Sequence, residues 1–502
     1  MKRHLLAYSV ISLSLCSFVD LSVGWSSFVF IALAVLLVLH QREKGYPLPP
    51  VSVLLVAYVV GYPLVVALPD LYWEVWARVG GYNIEFAMRW ALRGFSGFVC
   101  CYLLIDAIHR HFRPWQSRAG FDDGEEKRFV YLRYVLVSMG FLSVVGGALY
   151  YFLYGFKVGF LTAGGRFVVD SDLSSGRQIL DFCNGLKIPF YFAFGILWRR
   201  RQLNRFLIVL CLALLVITLL EIVSQGSKGA IIRLLVVGVL IYACTLEWLS
   251  IKQFFQGAVV CLIFYMTFAI ISEYRDIIRQ DHRYGRDVFD ISMQMETFAN
   301  AFLATLPFAE SSTRRIRTIE NQDILDRVSS GGMFSFANLL RATGRNSPYE
   351  YAQQAFLLPL YTVLPRSLAP DKPVFLSSGR NAEEFYHTTT VGISVSTLGS
   401  LYFTWGYVGI VLGMSVFGGV LADMICRIRR SGSVSVIAFF VLPVVAIGMV
   451  DVGTTFANVA VSGFRMLYFL WGLRLTYVVF GKHLGVLLGV SPSLEKAARP
   501  IG

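Results

Sequence analysis

Apolar residues in this chain come in long unbroken blocks rather than at the spacing of a soluble protein. The clearest blocks are residues 206–223 (FLIVLCLALLVITLLEIV) and 230–246 (AIIRLLVVGVLIYACTL). A helix of about 20 residues, rising 1.5 Å per residue, crosses a hydrocarbon core of roughly 30 Å. A soluble core helix of that length carries a polar stripe, which these blocks lack. The pattern therefore predicts membrane-spanning helices.

The same blocks recur along the whole chain. They predict an all-α fold, a polytopic transmembrane helical bundle of about 12 spans with one large ordered loop. The predicted spans are 5–24, 26–40, 51–69, 88–107, 129–154, 180–198, 206–224, 230–247, 254–273, 395–423, 434–450 and 459–481. The organisation is then nine spans in residues 1–273, a large outer loop in 274–394, three spans in 395–482 and a cytoplasmic tail in 483–502. Lys2 and Arg3 before the first block resemble a signal peptide, but no small-x-small site follows, so we expect a retained first span.

Composition and charge agree with a membrane protein. The mean hydropathy is +0.61, and only 15% of the residues are charged, against about 25% in soluble domains. The net charge of +13 falls mainly in short connections between spans, so cytoplasmic loops explain it better than a nucleic-acid partner does. The eight cysteines lie in or beside apolar blocks, and no metal-ligand spacing or nucleotide-binding loop is present. The sequence thus predicts no metal and no cofactor.

Lysine and arginine alternate between connections. With the N-terminus inside, the inner connections are the basic ones, and the short outer ones are comparatively poor in Lys and Arg. The inner set is 41–44, 109–118, 199–205, 247–253 and 427–430; the outer set is 70–87, 225–229 and 451–458. This follows the positive-inside rule and puts both termini in the cytoplasm.

The connection 274–394 lies on the outer side and carries both signs of charge, which long loops tolerate. Its apolar stretches 297–308 and 353–364 are too short to span, so we expect short interfacial or re-entrant helices. A loop of this length with aromatic and apolar segments is typically functional.

Three groups of residues are candidates for chemistry. The first follows span nine, where Arg275, Arg279, Arg283 and Arg286 fall within an arc of about 80° on a continued helix. Such a row suits a phosphate-bearing, membrane-anchored substrate, because guanidinium binds phosphate oxygens bidentately. The alternative is a solvated helix end.

The second group follows 353–364. Prolines fix an extended path that positions Arg366 and Lys372 near the membrane. The residues beyond supply a further cation and candidate general bases: Arg380, Glu383, Glu384 and His387. An ordinary solvated loop is the alternative.

The third group lies within apolar surroundings. Lys228 and Arg233 stand at the outer end of span eight, where the glycines of SQGSKG (224–229) also leave backbone N–H groups for an anion. Arg465 lies in the last span. The acids that could pair with these cations are Asp20, Glu221 and Asp451.

Four features taken in order resemble the Wzy-type oligosaccharide repeat-unit polymerases of bacterial membranes. They are the GSKG turn (226–229), the large late outer loop, PRSLAPDKP (365–373) and a Gly-rich span with LYFTWGYVGI (401–410). The family pattern commonly has arginine where this chain has Lys228. The resemblance implies a glycosyltransferase of the inner membrane that builds O-antigen or a related lipopolysaccharide-type surface polymer on the periplasmic face.

Further expectations follow from the resemblance. The substrate would be an undecaprenyl-diphosphate-linked oligosaccharide in the membrane lipid, with no nucleotide sugar, and a chain-length regulator protein is a candidate partner. Diphosphate binding would fall to Arg275, Arg279, Arg283, Arg366, Lys372, Arg380, Lys228 and Arg233. The candidate catalytic residues are His387, Glu383, Glu384 and Glu273.

Two alternatives stay open. An O-antigen ligase would use the same donor with a lipid A–core acceptor. A lipid-linked oligosaccharide flippase would also have about twelve spans, although its charged residues would line a path at the bilayer midplane.

Overall fold

The computed structural model of the chain describes residues 2–43, 51–112, 123–150, 175–199, 205–225, 228–245, 291–305, 330–343, 357–363, 395–430, 435–450 and 455–487, together with residues 259, 270 and 274. Within these ranges the regular structure is entirely helical, as predicted. The helices are α1 Lys2–Cys16, α2 Val23–Glu43, α3 Ser52–Gly61, α4 Pro63–Ala67, α5 Pro69–Val79, α6 Gly81–Phe112, α7 Asp123–Tyr150, α8 Ser175–Gly185, α9 Lys187–Arg199, α10 Arg205–Gln225, α11 Lys228–Thr245, α12 Ile291–Thr305, α13 Ser335–Thr343, α14 Leu358–Val363, α15 Thr397–Arg430, α16 Val436–Val450 and α17 Phe456–Leu487.

Five of these helices are long and apolar enough to cross a membrane. The apolar segments are Val23–Arg42, Gly81–His109, Val130–Tyr150, Thr397–Ile428 and Phe456–Val479. Shorter apolar segments occur in α10, α11 and α16. The described chain is therefore a helical bundle with the character of a multi-pass membrane protein.

Helices α6 and α15 pack closely and run in the same direction. A Cβ added to Gly94 would lie 2.7 Å from the Ile410 side chain, and one on Gly418 would lie 2.2 Å from the Phe98 carbonyl oxygen. Residues further along α6 therefore contact residues further along α15, as expected for two parallel helices. Glycine at these positions lets the two backbones approach, as in other membrane helix pairs.

Helices α7 and α10 are also parallel. A Cβ on Gly140 would meet Leu210 at 3.0 Å, and one on Gly147 would meet Ile217 at 3.0 Å. In the predicted topology α7 and α10 are spans five and seven, and α6 and α15 are spans four and ten. Spans that are separated by an even number of crossings must run the same way, so these directions agree with the predicted alternation.

Several predicted spans have different bounds. The first helix ends at Cys16 rather than at residue 24, and the chain bends before α2 begins at Val23. The predicted span 51–69 is divided among α3, α4 and α5, because Pro63 and Pro69 each begin a new helix. Proline lacks an N–H and clashes with the preceding turn, so it suits a helix start and not an interior.

The predicted span 180–198 is divided as well. Helix α8 ends at Gly185 and α9 begins at Lys187, with Leu186 in a turn between them. Pro189 lies three residues into α9 and cannot donate to the Gly185 carbonyl, which favours a break there. The predicted span 254–273 lies outside the described residues except for positions 259 and 270.

The largest departure from prediction is inside α15, where we expected one uninterrupted span over 395–423. Gly406 has φ 65° and ψ −152°, a backbone conformation essentially restricted to glycine. The chain folds back there: a Cβ on Gly413 would lie 2.4 Å from the Leu401 side chain, although twelve residues of straight helix span about 18 Å. Residues 397–405 thus form a half-helix alongside the start of the crossing helix 407–430.

A segment of the predicted long loop belongs to the core. A π-helical turn, Ser330–Phe334, leads into α13, and Phe336 and Leu340 are completely buried. The Phe336 ring meets Tyr402 of the half-helix at 6.1 Å between centroids. A Cβ on Gly332 would lie 2.4 Å from the Gly61 carbonyl oxygen, so the turn also touches the backbone of α3.

The two apolar stretches of the loop form short helices. The stretch 297–308 overlaps α12, which buries Ala301 and exposes Phe302 and Leu303. The stretch 353–364 overlaps the six-residue α14, where the Tyr468 hydroxyl of α17 donates a 3.1 Å hydrogen bond to the Pro359 carbonyl. Tyr468 lies about 18 Å along α17 from its first residue, so α14 packs against the middle of that helix.

Candidate functional site

The half-helix 397–405 begins in the bundle interior with a polar cap. Ser396 has a left-handed backbone (φ 63°) and accepts a 3.0 Å hydrogen bond from the Gly399 N–H. Ser396 and Thr397 are completely buried. The Tyr58 hydroxyl of α3 donates to the Met414 sulfur at 4.0 Å and lies near Thr397. The Tyr62 hydroxyl, at the C-terminal end of α3, lies near Ser396 and has no hydrogen-bond partner among the described residues. The start of this half-helix is therefore a buried hydroxyl cluster.

A second helix N-terminus meets the first. The Phe456 N–H at the start of α17 donates a 2.7 Å hydrogen bond to the Ser400 hydroxyl, and the Asn458 N–H donates to the Thr455 hydroxyl at 3.3 Å. Helix N-termini carry partial positive charge. Two of them converging on buried hydroxyls make this interior region favourable for an anionic group.

A buried ion pair joins α9 to α10. The Lys187 ammonium contacts the Glu221 carboxylate and donates a 3.0 Å hydrogen bond to the Asn184 side-chain oxygen. One turn further, the hydroxyls of Tyr191 and Thr218 are 2.9 Å apart. The pairing of 187 with 221 and 191 with 218 makes the two helices antiparallel. Charges within apolar helices are costly, so this pair is a functional candidate by default.

Arginines form a third polar cluster at the near side of the bundle, which we define as the side where α6 begins at Gly81. The Arg93 guanidinium bonds to Asp20 at 2.9 Å and stacks on the Trp90 ring 4.5 Å from its centroid. The Arg89 Nε donates to the Leu21 carbonyl at 2.9 Å. These contacts fasten the bend between α1 and α2 to α6.

The far side, where α6 ends at Phe112, carries a separate cluster. The His109 imidazole is 2.7 Å from one Asp423 oxygen, and the Arg427 Nε donates to the other at 2.7 Å. The contact links the C-terminal ends of α6 and α15, which contain basic residues of the predicted inner connections 109–118 and 427–430. We interpret it as a structural contact that holds the ends of the two helices together.

Most of the predicted site residues lie outside the described part of the chain. These are Glu273, Arg275, Arg279, Arg283, Arg366, Lys372, Arg380, Glu383, Glu384 and His387. Lys228 is the first residue of α11, and Arg233 is exposed on that helix. Tyr274, which stands in sequence between Glu273 and Arg275, is buried against Phe298 of α12 with their ring centroids 5.8 Å apart. Burial raises the pKa of Tyr274 to about 12.

The predicted pairing of buried charges needs correction. The sequence offers Asp20, Glu221 and Asp451 as acids that could pair with Lys228, Arg233 or Arg465. In the structure Asp20 bonds to Arg93 and Glu221 contacts Lys187, while Asp451 lies outside the described residues. Arg89, Arg93 and Lys187 all lie inside predicted spans. A charge inside a span is costly wherever it occurs, so the sequence marks these three residues as functional candidates as clearly as Lys228, Arg233 and Arg465.

The fold and these clusters define a polytopic helical membrane protein with polar residues inside the bundle. By sequence, residues 166–430 match the model of the family described as Domain of unknown function (DUF8712). The match covers more than half of the 502 residues, so the chain belongs to this family. It includes the Lys187–Glu221 pair and the half-helix, and it leaves out the near-side arginines. No curated protein and no solved structure matches the chain significantly.

Proposed function

We propose that this protein is a membrane glycosyltransferase that polymerises undecaprenyl-diphosphate-linked oligosaccharide repeat units into O-antigen or a related surface polysaccharide. The proposal includes about twelve spans in the bacterial inner membrane, cytoplasmic termini and a periplasmic face for the chemistry. The alternation of basic connections supports this orientation, and the parallel pairs α6–α15 and α7–α10 are compatible with it.

The observation that carries the proposal is the break at Gly406. It falls inside LYFTWGYVGI (401–410), one of the segments that resemble the polymerases. Non-helical backbone within a membrane bundle is tolerated only where protein or a polar cavity surrounds it. Broken helices also direct their N-termini at anionic substrate groups. The buried start of the half-helix, next to the start of α17, supports such a role.

The reaction needs a diphosphate site and a base. In the proposed step an acceptor sugar hydroxyl attacks the anomeric carbon of the donor, the bond to undecaprenyl diphosphate breaks, and a base takes the hydroxyl proton. His387, Glu383, Glu384 and Glu273 are the candidate bases. The candidate cations for the leaving diphosphate are Arg275, Arg279, Arg283, Arg366, Lys372, Arg380, Lys228 and Arg233, because preorganised positive charge stabilises a developing anion.

A reconstitution experiment tests the proposal. Purified full-length protein is incubated in liposomes with a synthetic undecaprenyl-diphosphate repeat unit and no nucleotide. A ladder of products supports the polymerase. Arg275→Ala and Arg366→Ala are each expected to abolish the ladder while the protein stays in the membrane, and an unchanged ladder in both contradicts the assignment of the diphosphate site.

The same assay separates the alternatives. A flippase moves the labelled repeat unit across the bilayer and forms no ladder, and the broken helix is compatible with that class as well. A ligase transfers a single repeat to added lipid A–core and makes no polymer in its absence. Either result replaces the proposed polymerase.

A further inference from the structure

The near-side arginine cluster is the charged surface that the proposed function leaves unused. It is formed by Arg89 and Arg93, one turn apart on α6, by Glu85 one turn earlier, and by Asp20 in the bend between α1 and α2. Asp20 is 74% exposed and Glu85 is 41% exposed, whereas the Arg93 side chain is only 14% exposed. The cluster is thus a half-buried pair of cations with accessible carboxylates at its rim.

The cluster lies at the boundary of the apolar part of α6. The apolar segment Gly81–His109 has 29 residues, more than the 20 or so that the hydrocarbon core needs. Twenty residues counted back from His109 reach Trp90, which places Arg89 beside the boundary. Phe18, Trp25 and Tyr82 around it are all more than half exposed, as aromatic side chains at a membrane interface are.

The two arginines are engaged differently. Arg93 is fixed by the Asp20 bond at 2.9 Å and by the Ser17 carbonyl at 3.3 Å. The terminal nitrogens of Arg89 are 3.8 Å from Asp20 and 3.8 Å from Glu85, which is beyond hydrogen-bond distance. Only its Nε is bonded in the described structure, to the Leu21 carbonyl. Arg89 is therefore held in place with its two terminal amino groups available to a ligand.

The carboxylate at the rim is available too. Both arginine contacts of Asp20 use the same oxygen, Oδ1, so Oδ2 lies outside them. Two guanidinium groups beside two carboxylates have no net charge, which argues against a simple anion site. The arrangement instead complements a ligand that carries both signs of charge a few ångströms apart.

We propose that this cluster binds the zwitterionic headgroup of a phosphoethanolamine lipid in the near-side leaflet. The phosphate accepts hydrogen bonds from the Arg89 terminal nitrogens, because guanidinium matches phosphate geometry. The ammonium lies against the Asp20 carboxylate. The acyl chains run along the exposed apolar residues of α1 and α2. This site is separate from the proposed transferase chemistry.

Native mass spectrometry of the full-length protein tests the site. The detergent-solubilised protein is offered equal amounts of dioleoyl phosphatidylethanolamine, phosphatidylglycerol and phosphatidylcholine. Wild type is expected to retain phosphatidylethanolamine preferentially, since the methylated ammonium of phosphatidylcholine cannot donate to Asp20. Equal retention of the three lipids overturns the proposal.

Two variants separate the contributions of phosphate and ammonium. Asp20→Asn is expected to reduce phosphatidylethanolamine retention about tenfold, the value of one hydrogen bond to a charged group, while leaving phosphatidylglycerol retention intact. Arg89→Gln is expected to reduce both. Arg205→Gln, which removes an exposed arginine at the start of α10, is the matched control and changes neither. An unchanged lipid ratio in folded Asp20→Asn overturns the proposal, and so does displacement of the bound lipid by inorganic phosphate alone.

Discussion

The Lys187 ammonium contacts the Glu221 carboxylate inside the helical bundle, where the two residues are only 4% and 6% exposed. Asn184 completes the arrangement by accepting a hydrogen bond from the same ammonium. The pair fixes the position of α9 along α10, because the lysine of α9 must lie directly opposite the glutamate of α10.

Removing the lysine alone should therefore destabilise the protein strongly. Lys187→Met leaves Glu221 buried without its main partner, a change that typically costs about 3–5 kcal/mol. We expect a clear fall in the melting temperature, measured by intrinsic fluorescence in detergent at one fixed scan rate. The double variant Lys187→Met/Glu221→Leu should recover much of the loss, since no charge is then left unpaired. Equal destabilisation in the single and double variants would contradict this interpretation.

The Gly406 break should not tolerate a side chain. At φ 65° and ψ −152° a Cβ is strongly disfavoured, so Gly406→Ala is expected to cost about 1–3 kcal/mol or to straighten the helix. Straightening would move the buried start of the half-helix away from Tyr62. The measurement is the melting temperature together with polymer formation in the liposome assay. Gly472→Ala on α17 is the control, because a Cβ there meets no atom within 4 Å, and it should leave both readings unchanged.

The contact between α6 and α15 should depend on Gly418. A Cβ at this position would lie 2.2 Å from the Phe98 carbonyl oxygen, so Gly418→Ala must push the two backbones apart. Overpacking of this kind typically costs about 1–3 kcal/mol. Thermal unfolding of the purified protein measures it. In Gly238→Ala, where the added Cβ meets nothing within 4 Å, we expect no loss.

The Tyr274 hydroxyl should be dispensable for stability, although the ring is not. The hydroxyl is buried without a hydrogen-bond partner among the described residues, so Tyr274→Phe should be neutral or slightly stabilising. Tyr274→Ala removes the ring that packs on Phe298 and should cost about 3–5 kcal/mol. Comparison of the melting temperatures of the two variants tests both statements. A large loss in the phenylalanine variant would mean that the hydroxyl has a partner.

Much of the fold follows from local sequence. The apolar blocks that predicted spans 26–40, 206–224 and 434–450 coincide with α2, α10 and α16 to within a few residues. The spans are predicted correctly from these blocks because a stretch of about 20 apolar residues has few stable alternatives to a buried or lipid-facing helix. The roles of the basic residues in the long loop stay predictions.

Span interruptions were predicted poorly. The break at Gly406 lies within apolar sequence, where hydropathy alone gives no signal. The break at Leu186 is marked in the sequence by Gly185 and Pro189, which hydropathy does not take into account. A glycine inside a helix is common, and φ > 0 is adopted only when neighbouring helices make the turn favourable. The buried helix α13 was missed for a related reason, because its apolar run is short and its partners come from distant parts of the chain.

The sequence by itself determined the class of protein, since hydrophobicity and charge are properties of each segment. It determined neither which charges pair nor where the chain folds back. Lys187 and Glu221 are 34 residues apart in the chain, and Arg93 is 73 residues from Asp20. Such pairs form only when helix packing brings the two residues next to each other, so they are determined by the tertiary structure. The same packing placed the start of the half-helix 397–405 in the interior instead of at the membrane surface.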